Sequence, residues 1–437
     1  MKSVDQSGNA HRAATPQPSA RPFRLALYET SVEGHRGAYL TAITSEAIRR
    51  GWSVTLVTPA KDRIHPYYSH LRELLGPSNL LFTPYWIDFP RRVSAWSMLR
   101  YHFDQWEAAR QSLSANDRSW DYVYAPNIDY MDKAIQIRGV PSYPTPMGGM
   151  TMRVRFHLKQ LGVQTHRALL PSLGSLAFSR LLQARGLASI TTADPSLYKY
   201  CQSQRASRYR RVAYVPEIGM IAPTIDCAAA RQEFGFGPED QVILVFGFID
   251  ERKAVKELVA ALECVNSTAR TRILVVGRPD QATGDLLSSP KFTALQRAGT
   301  LVARLGFADD KTQEMAFAAA DVVWVAYRNH STMSGVFSQA ISCSLPVIGP
   351  NYGLLSWLVS QYNVGITVDV DNPSETGRRI VTMLQDTTGM QALRSNSGRI
   401  SNSHRPQDFG AAVCDAIAAS RAARTIVHSP TGQAPAA

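Results

Sequence analysis

Short apolar runs rich in β-branched residues alternate with helical patterns twice along the chain, and this repeated order constrains the fold more than any other feature. Strands that alternate with helices pair in parallel, and right-handed crossovers place the helices on both faces of the sheet. Two such series predict an α/β chain with two doubly wound sheets. The predicted strands of the first series are Arg24–Tyr28, Ser53–Thr58, Asp121–Tyr124, Ser189–Thr192 and Arg211–Val215. Those of the second are Gln241–Gly247, Arg272–Gly277, Thr300–Leu305, Asp321–Ala326, Pro346–Ile348 and Gly365–Val368.

The length of 437 residues suits two domains of near-equal size better than a single core. We predict an upstream Rossmann-like domain over residues 21–218 and a downstream one over 240–405. A linker that contains proline and glycine is expected over 219–239, and a C-terminal helix over 406–425. Disordered tails are predicted at both ends, over residues 1–20 and 426–437.

The composition is typical of a soluble globular protein, with 45% hydrophobic and 19% charged residues. The longest apolar runs, such as Val242–Ile249, are far shorter than the ~20 residues needed to span a bilayer. The first twenty residues lack an apolar segment, so no secretory signal is evident. Five scattered cysteines show neither zinc spacing nor a disulfide pattern. A cytoplasmic location is therefore expected.

The positive charge is concentrated in one segment. Of the 47 Lys and Arg residues, 13 lie between Lys133 and Arg211, where Asp194 is the single acid, so this segment accounts for the whole net charge of +12. Such segregation favours attraction of an anionic partner, either lipid headgroups or a phosphorylated acceptor. The alternative is an ordinary solvated basic face. Nucleic acid is disfavoured, because no helix-turn-helix, zinc or RNA-stacking signature accompanies the charge.

Three downstream segments resemble glycosyltransferase family 4: Val242–Leu258 (VILVFGFIDERKAVKEL), Ala320–Tyr327 (ADVVWVAY) and Ser334–Pro350 (SGVFSQAISCSLPVIGP). The resemblance covers residues 240–370 well and the upstream half only loosely. It implies a GT-B fold, in which two Rossmann-like domains face each other across a cleft. It also implies a nucleotide-sugar donor and sugar transfer with retention of anomeric configuration, without a metal or other cofactor.

The resemblance assigns a diphosphate site to the junctions that follow the first and the fourth predicted strands of this half. Gly247 would let the backbone approach the diphosphate, and Lys253, together with Arg252, would stabilise the leaving group. Ser334 is a candidate N-cap, beyond which the amides of Gly335 and Val336 would point at the same anion. The other residues predicted to bind the donor are Gly34, Gly37, Gly277, Arg278, Gly306, Phe307, Ser331 and Gln339.

The chain departs from the family pattern at positions that matter for chemistry. Two glutamates that family members usually carry are replaced by Ser331 and Gln339. Gln339 can still bond a ribose hydroxyl from the same helix face as Gly335, although it could equally be a polar surface residue. These changes leave two hypotheses open, a divergent active enzyme or a silent module that binds without turnover. A third, a nucleotide-sugar epimerase, lacks the acid–base carboxylates that such an activity usually needs.

Two further departures concern the loop around Lys253. Phe248 replaces an arginine that often follows the strand-end glycine, and Ala254 stands where the family usually has glycine. At Asp369 and Asp371 an acidic pair could hold a divalent cation, but a solvated turn is the simpler interpretation. No metal site is therefore predicted.

The first βα loop, Glu33–Gly37, resembles the family loop that faces the donor and acceptor across the cleft. Its His35 is the candidate general base, although any βα turn can contain such glycines. The segment Met147–Met150 could be another cleft loop or a plain turn.

Basic residues mixed with apolar ones over Arg153–Arg185, and again between Trp86 and Tyr101, suit either an anionic membrane surface or helices packed on the sheet. With a membrane surface, the acceptor would be a lipid-linked or membrane-proximal glycan, and the protein would lie at the inner face of the membrane.

Overall fold

The computed structural model describes residues 21–32, 35–59, 66–116, 119–164, 171–219, 223–265, 270–401 and 404–428. The predicted tail at 1–20 and residues 429–437 lie outside these ranges. The described chain forms two parallel sheets, of seven and six strands, each with helices packed on both faces. The predicted α/β class with two doubly wound sheets is confirmed.

The upstream sheet has the strand order β3-β2-β1-β4-β5-β6-β7. Its strands are β1 (Arg24–Tyr28), β2 (Ser53–Pro59), β3 (Leu80–Thr83), β4 (Tyr122–Ala125), β5 (Met147–Met150), β6 (Leu187–Thr192) and β7 (Val212–Tyr214). Helices of this half are α1 (His35–Arg49), α2 (Pro66–Leu75), α3 (Ala95–Ser114), α4 (Asp132–Arg138), α5 (Phe156–Gln160), α6 (Pro171–Leu182) and α7 (Pro195–Ser203). Leu25, Leu27 and Leu56 are completely buried, as expected for central parallel strands covered on both faces.

Strands β3 and β5 were not predicted, and the expectation of a loop at Met147–Met150 is wrong. β5 contains two glycines in four residues, a composition that weakens a strand signal. A Cβ atom on Gly148 would lie 2.5 Å from the Tyr122 hydroxyl, and one on Gly149 would lie 2.3 Å from a methyl group of Ile128. Glycine is therefore needed at both positions, because neighbouring side chains occupy the space on each face of the strand.

The downstream sheet has the order β10-β9-β8-β11-β12-β13. All six strands lie within or near the predicted runs: β8 (Gln241–Phe246), β9 (Thr271–Gly277), β10 (Leu301–Leu305), β11 (Val322–Trp324), β12 (Val347–Pro350) and β13 (Gly365–Val368). Its helices are α8 (Cys227–Glu233), α9 (Val255–Cys264), α10 (Gln281–Leu287), α11 (Pro290–Arg297), α12 (Asp310–Ala319), α13 (Gly335–Ser342), α14 (Gly353–Tyr362), α15 (Pro373–Gln385) and α16 (Thr387–Ser401). Helix α8 lies inside the segment expected to be a linker, and Ala230, Phe234 and Phe236 are buried in the core of this half.

The chain ends in a long helix, α17 (Pro406–His428), that returns to the upstream half and packs on α1. The rings of Phe409 and Tyr39 stack at 4.5 Å. The two segments that connect the halves, one around Gly219 and the other around His404, lie side by side. The Gly219 amide donates to the His404 carbonyl at 2.8 Å. Glu217 is buried here, and its side chain accepts a short hydrogen bond from the Tyr39 hydroxyl. No helix among the described residues is both long and apolar enough to cross a membrane.

Candidate functional site

Three glycines end neighbouring strands at the carboxyl edge of the downstream sheet. Gly247, Gly277 and Gly306 follow or end β8, β9 and β10 and have φ angles of 102°, 141° and 133°, which side-chain-bearing residues rarely adopt. A Cβ atom on Gly277 would lie 1.8 Å from the Gly247 carbonyl oxygen. The strand ends therefore form a surface of bare backbone. Ligands of open α/β sheets bind at such an edge.

Lys253 lies beside this surface, and the chain buries its charge. Its side chain is 3% exposed, and its Nζ atom donates to the Phe246 carbonyl at 2.7 Å and to the Tyr327 hydroxyl at 2.9 Å. Nζ also lies 4.3 Å from the centroid of the Tyr327 ring. No carboxylate of the described residues lies within ion-pair distance of it. A buried cation without a counter-ion is costly, so this position favours an anionic ligand.

The local backbone sets this placement. Residues Glu251–Lys253 form a single 3₁₀ turn, and Ala254 then adopts a left-handed conformation (φ 53°, ψ 38°) that starts α9. Trp324 donates from Nε1 to the Lys253 carbonyl at 2.8 Å and fixes the turn from β11. Alanine thus occupies a conformation in which glycine is strain-free, at the position where the sequence departs from the family pattern.

The N-terminus of helix α13 faces the same place. A Cβ atom on Gly247 would lie 3.8 Å from both Lys253 Nζ and a methyl group of Val336. Ser334 is the N-cap residue, as predicted, but its hydroxyl donates to the Tyr327 hydroxyl at 3.3 Å and does not cap the helix. The amides of Gly335 and Val336 have no acceptor in the described part of the chain. Free amides and the helix dipole favour an anion here.

Gln339 and Ser331 occupy the positions of the two missing glutamates and differ in their surroundings. The Oε1 atom of Gln339 is buried and has no hydrogen-bond partner among the described residues. Since buried acceptors are normally paired, this atom is suited to a ligand hydroxyl. Ser331 is 4% exposed, and a Cβ atom on Gly353 would lie only 2.8 Å from its Cα. Ser331 therefore packs closely against the start of α14.

Arg252 contacts a histidine that the sequence did not single out. Nδ1 of His330 lies 3.3 Å from Arg252 Nη1, and Nε2 lies 3.1 Å from the Met333 carbonyl. Because a carbonyl only accepts, Nε2 carries the hydrogen and Nδ1 accepts from Arg252. Burial, with the nearby Arg252 charge, lowers the pKa of His330 to about 4. His330 is thus neutral at pH 7 and orients Arg252.

Tyr327 is the second residue that sequence reasoning missed. It ends the quoted segment Ala320–Tyr327, is 1% exposed, and lies beneath both cations, with the Arg252 guanidinium 5.2 Å from its ring centroid. Tyr352 donates to its carbonyl at 2.6 Å and holds the strand end in place. The sequence signal that could have identified Tyr327 is its position directly after the predicted strand Asp321–Ala326.

The rim of the site carries exposed aromatic and basic side chains. Phe307, next to Gly306, is 93% exposed and Phe248 is 47% exposed. The Arg278 guanidinium lies 5.6 Å from the Phe248 ring centroid. Exposed rings at this edge offer a surface on which a planar base can stack.

The first loop of the upstream half is described only in part, because Gly34 and the side chain of His35 lie outside the described residues. Gly37 is described and packs against α2, where a Cβ atom would lie 2.5 Å from the Tyr67 ring. The packing of α1 against α2 therefore explains why residue 37 is a glycine. Arg36 pairs with Glu29 at 3.1 Å.

Glu29 directly follows β1 and organises this loop. It is 2% exposed and accepts hydrogen bonds from the amides of Thr30 (2.7 Å) and Ser31 (3.3 Å). Burial raises the pKa of Glu29, against the opposing effect of Arg36. Glu29 was not predicted as a site residue, although its position directly after the first predicted strand is evident from the sequence.

A cavity of about 450 Å³ opens beside this loop, at the carboxyl ends of β1 and β4. Its walls include Trp86, Phe89, Tyr101 and Tyr130, whose last three rings lie 5.3–6.0 Å apart. Arg36 lines the cavity, and the Arg153 guanidinium lies 4.4 Å from the Tyr130 ring centroid. Aromatic walls with nearby cations suit a ligand that has apolar faces and negative charge.

The acidic pair after β13 is engaged in an ion-pair network. Asp371 pairs with Arg328 at 2.7 Å, and Arg328 also pairs with Glu257 at 2.9 Å. The Asp371 amide donates to Asp369 at 3.1 Å. In the described part of the chain, no group of three or more His, Cys, Asp or Glu side chains is arranged to hold a metal ion.

Comparison with known proteins agrees with this geometry. Residues 240–386 match the model of the family described as glycosyl transferases group 1. A D-inositol 3-phosphate glycosyltransferase of Segniliparus rotundus is 31% identical over 215 residues, which cover 47% of this chain and 44% of that protein. The chain thus matches less than half the length of this curated relative.

Solved structures match over nearly the whole chain at low identity. Sucrose-phosphate synthase from Thermosynechococcus elongatus superposes with a TM-score of 0.64 and 15% identity, covering 93% of this chain and 99% of that one. Anabaena Alr3699/HepE in complex with UDP-glucose superposes with a TM-score of 0.56 and 14% identity, covering 91% and 99%. The chain therefore has the GT-B fold, and residues 240–386 of its downstream half are similar to group 1 glycosyl transferases.

Proposed function

We propose that the protein transfers a sugar from a nucleoside-diphosphate sugar, bound by the downstream half, to an acceptor bound by the upstream half. The observation that carries this proposal is the buried, unpaired charge of Lys253 beside the open N-terminus of α13. A diphosphate would supply the missing negative charge to both. The structural relative from Anabaena, solved with UDP-glucose, supports a nucleotide-sugar donor.

In the transfer, the bond between the anomeric carbon and the diphosphate breaks, and a bond from that carbon to an acceptor oxygen forms. Negative charge grows on the departing diphosphate, where Lys253, Arg252 and the amides of Gly335 and Val336 would stabilise it. Neutral His330 would keep Arg252 aimed at the same place. By resemblance we propose retention of configuration, with neither a protein nucleophile nor a metal. His35 stays the proposed general base for the acceptor proton.

The aromatic cavity of the upstream half is the proposed acceptor site. Arg36 and Arg153 would attract an anionic acceptor, and the rings would cover the faces of a sugar or cyclic polyol. The curated relative named D-inositol 3-phosphate glycosyltransferase supports a phosphorylated acceptor of this kind.

A lipid-linked glycan is the other acceptor class, favoured by the surface next to the cavity. Trp96 is 81% exposed and Val93 is 67% exposed, and Arg91 and Arg92 are exposed beside them. Phe89 connects this surface to the cavity wall. Apolar and basic side chains together suit an anionic membrane, so we propose peripheral association at its cytoplasmic face.

A silent GT-B module that binds a nucleotide or glycan is the second candidate. It is favoured by Ser331 and Gln339, because neither supplies the negative charge of the usual glutamates. The buried, unpaired oxygen of Gln339 serves binding equally well in either case.

Incubation of the purified protein with a panel of nucleotide-sugars, with and without inositol phosphate or lipid-linked acceptors, separates the two candidates. Release of free nucleotide that is abolished in Lys253→Ala supports the enzyme. The matched control is Lys256→Ala, since Lys256 is exposed one residue into α9. Tight binding of a donor with no release under any of these conditions would establish the silent module.

A further inference from the structure

A strongly basic surface lies at the amino ends of strands of the upstream sheet, on the edge opposite the proposed acceptor cavity. Two adjoining cavities, of about 830 and 580 Å³, share the lining residues Gln183 and Ala184. The larger one lies where β6 and β7 begin, since Leu187 and Arg211 line it. Thr30 and Asn127, which line the proposed acceptor cavity, follow the ends of β1 and β4. Because all strands are parallel, the two sites lie at opposite edges of the sheet.

Among the described residues that line these cavities are six arginines and no aspartate or glutamate. The six are Arg138, Arg180, Arg185, Arg208, Arg210 and Arg211. All belong to the segment 133–211 that carries the whole net charge. Much of that charge is thus placed far from the proposed acceptor cavity, and the sugar-transfer chemistry does not use it.

Within the described part of the chain, guanidinium groups of this surface contact carbonyls and aromatic rings: Arg211 donates to the carbonyls of Leu182 and Leu187, and Arg138 and Arg185 lie over rings. None of the six arginines forms an ion pair with a described carboxylate. Glu107 on the neighbouring helix α3 pairs with Arg110 at 2.5 Å. The Nε atom of Arg208 is buried and has no hydrogen-bond partner among the residues that the structure describes. Clustered, unpaired guanidinium groups repel one another, and an anion that binds between them relieves this repulsion.

The shape and the residue type indicate which anion fits. Guanidinium groups bind phosphate oxygens through paired N–H donors, and arginine is the residue best suited to this geometry. Both cavities have the size of small-molecule sites. Ile137 is a single exposed large apolar side chain among their described lining residues, whereas a membrane-binding surface carries a continuous apolar face. The hydroxyls of Ser189 and Ser420, which the Tyr122 hydroxyl links at 2.9 and 3.3 Å, add polar groups to the floor of the larger cavity.

We propose that these paired cavities form a second anion site, distinct from the cleft, which binds a small molecule carrying several phosphate charges. The larger cavity is walled on one side by Ala416, Ala419 and Ser420 of helix α17. A ligand there would contact both the upstream sheet and the C-terminal helix that returns to it. Binding would therefore fasten α17 to the upstream half.

Calorimetric titration of the full-length protein with inorganic tripolyphosphate tests this proposal. We expect two sites on the unaltered protein, one removed by Lys253→Ala in the cleft and the other by Arg208→Ala/Arg210→Ala. The second site should bind at least tenfold more weakly in the double variant. The matched control, Arg270→Ala/Arg297→Ala, removes two exposed charges from the other half and should keep both sites.

Circular dichroism establishes that each variant is folded before titration. Unchanged tripolyphosphate binding in Arg208→Ala/Arg210→Ala would overturn the second site. Loss of binding to anionic phospholipid vesicles, with tripolyphosphate binding unchanged, would overturn it in favour of a membrane surface. Lys253→Ala should lose only the site beside Lys253 and keep the second anion site. The second site can therefore be tested independently of the proposed function.

Discussion

The hydroxyl of Tyr327 accepts a hydrogen bond from Lys253 at 2.9 Å and one from Ser334 at 3.3 Å. This single oxygen connects the turn before α9 to the start of α13. Both elements present positive groups, an ammonium on one side and free amides on the other. Their connection through a buried tyrosine keeps the two groups in a fixed relation before any ligand arrives, which reduces the ordering needed on binding.

Gln339→Ala should weaken nucleoside-diphosphate binding about five- to tenfold, because one hydrogen bond to the ribose, worth about 1 kcal/mol, is lost. Pyrophosphate has no ribose, so its affinity should not change. Calorimetric titration with both ligands checks this. Equal losses for UDP and pyrophosphate would assign Gln339 to the phosphates and contradict the ribose contact.

Gly277→Ala should destabilise the downstream half severely, by more than about 3 kcal/mol, since its Cβ would collide with the Gly247 carbonyl at 1.8 Å. Gly306→Ala is the control, because Gly306 has a similar φ angle but no atom of a described residue lies within 4 Å of the added Cβ. It should cost only the backbone strain, about 1–3 kcal/mol. Urea unfolding compares the two, and equal costs would show that the steric contact is unimportant.

Glu217 should make the stability depend on pH. Burial raises the pKa of this carboxyl to about 7, whereas in the unfolded chain it titrates near 4.5. The folded state therefore holds a proton that the unfolded state releases, so the contribution is complete below about pH 4.5 and is lost as pH rises towards 7. The shift corresponds to roughly 3 kcal/mol.

Glu217→Gln should remove this contribution to the pH dependence, because the amide mimics the protonated carboxyl beside Tyr39. Thermal unfolding of both proteins from pH 4.5 to 8 measures it. Relative to the unaltered protein, the variant should gain stability at pH 8 compared with pH 4.5. Parallel curves for the two proteins would show that Glu217 titrates normally.

Trp96→Ala should reduce binding to anionic phospholipid vesicles, since Trp96 is the most exposed large apolar residue beside the basic positions Arg91 and Arg92. Co-sedimentation with vesicles measures the loss. Ile137→Ala is a control from the opposite edge of the sheet, where an exposed apolar residue (73%) lies beside the second anion site. Equal binding of the unaltered protein and Trp96→Ala would contradict membrane contact by this surface.

The alternation of strands and helices was sufficient to predict the fold class, because buried parallel strands leave continuous apolar runs. Strand β5 escaped prediction since its glycines are required by Tyr122 and Ile128, which come from other parts of the chain. Helix α8 was not predicted, for a related reason. Its short sequence lies among prolines and glycines, and Ala230 is its one buried residue, whereas the larger Phe234 and Phe236 enter the core only after the helix ends.

At the candidate site, the sequence located the groups that depend on local order along the chain. Lys253, Gly247 and Val336 lie at fixed distances from strand ends, and the structure brings them together. The bridging role of Tyr327 and the contact of Arg252 with His330 depend on how separate loops meet, which spacing does not encode. The Gly37 contact with Tyr67 is of the same kind.

A crystal structure of the complex with UDP would show which groups bind the diphosphate. We expect the diphosphate to lie within hydrogen-bond distance of Lys253 Nζ and of the amides of Gly335 and Val336, and the ribose to contact Gln339 Oε1. A diphosphate bound away from both Lys253 and the start of α13 would contradict this expectation.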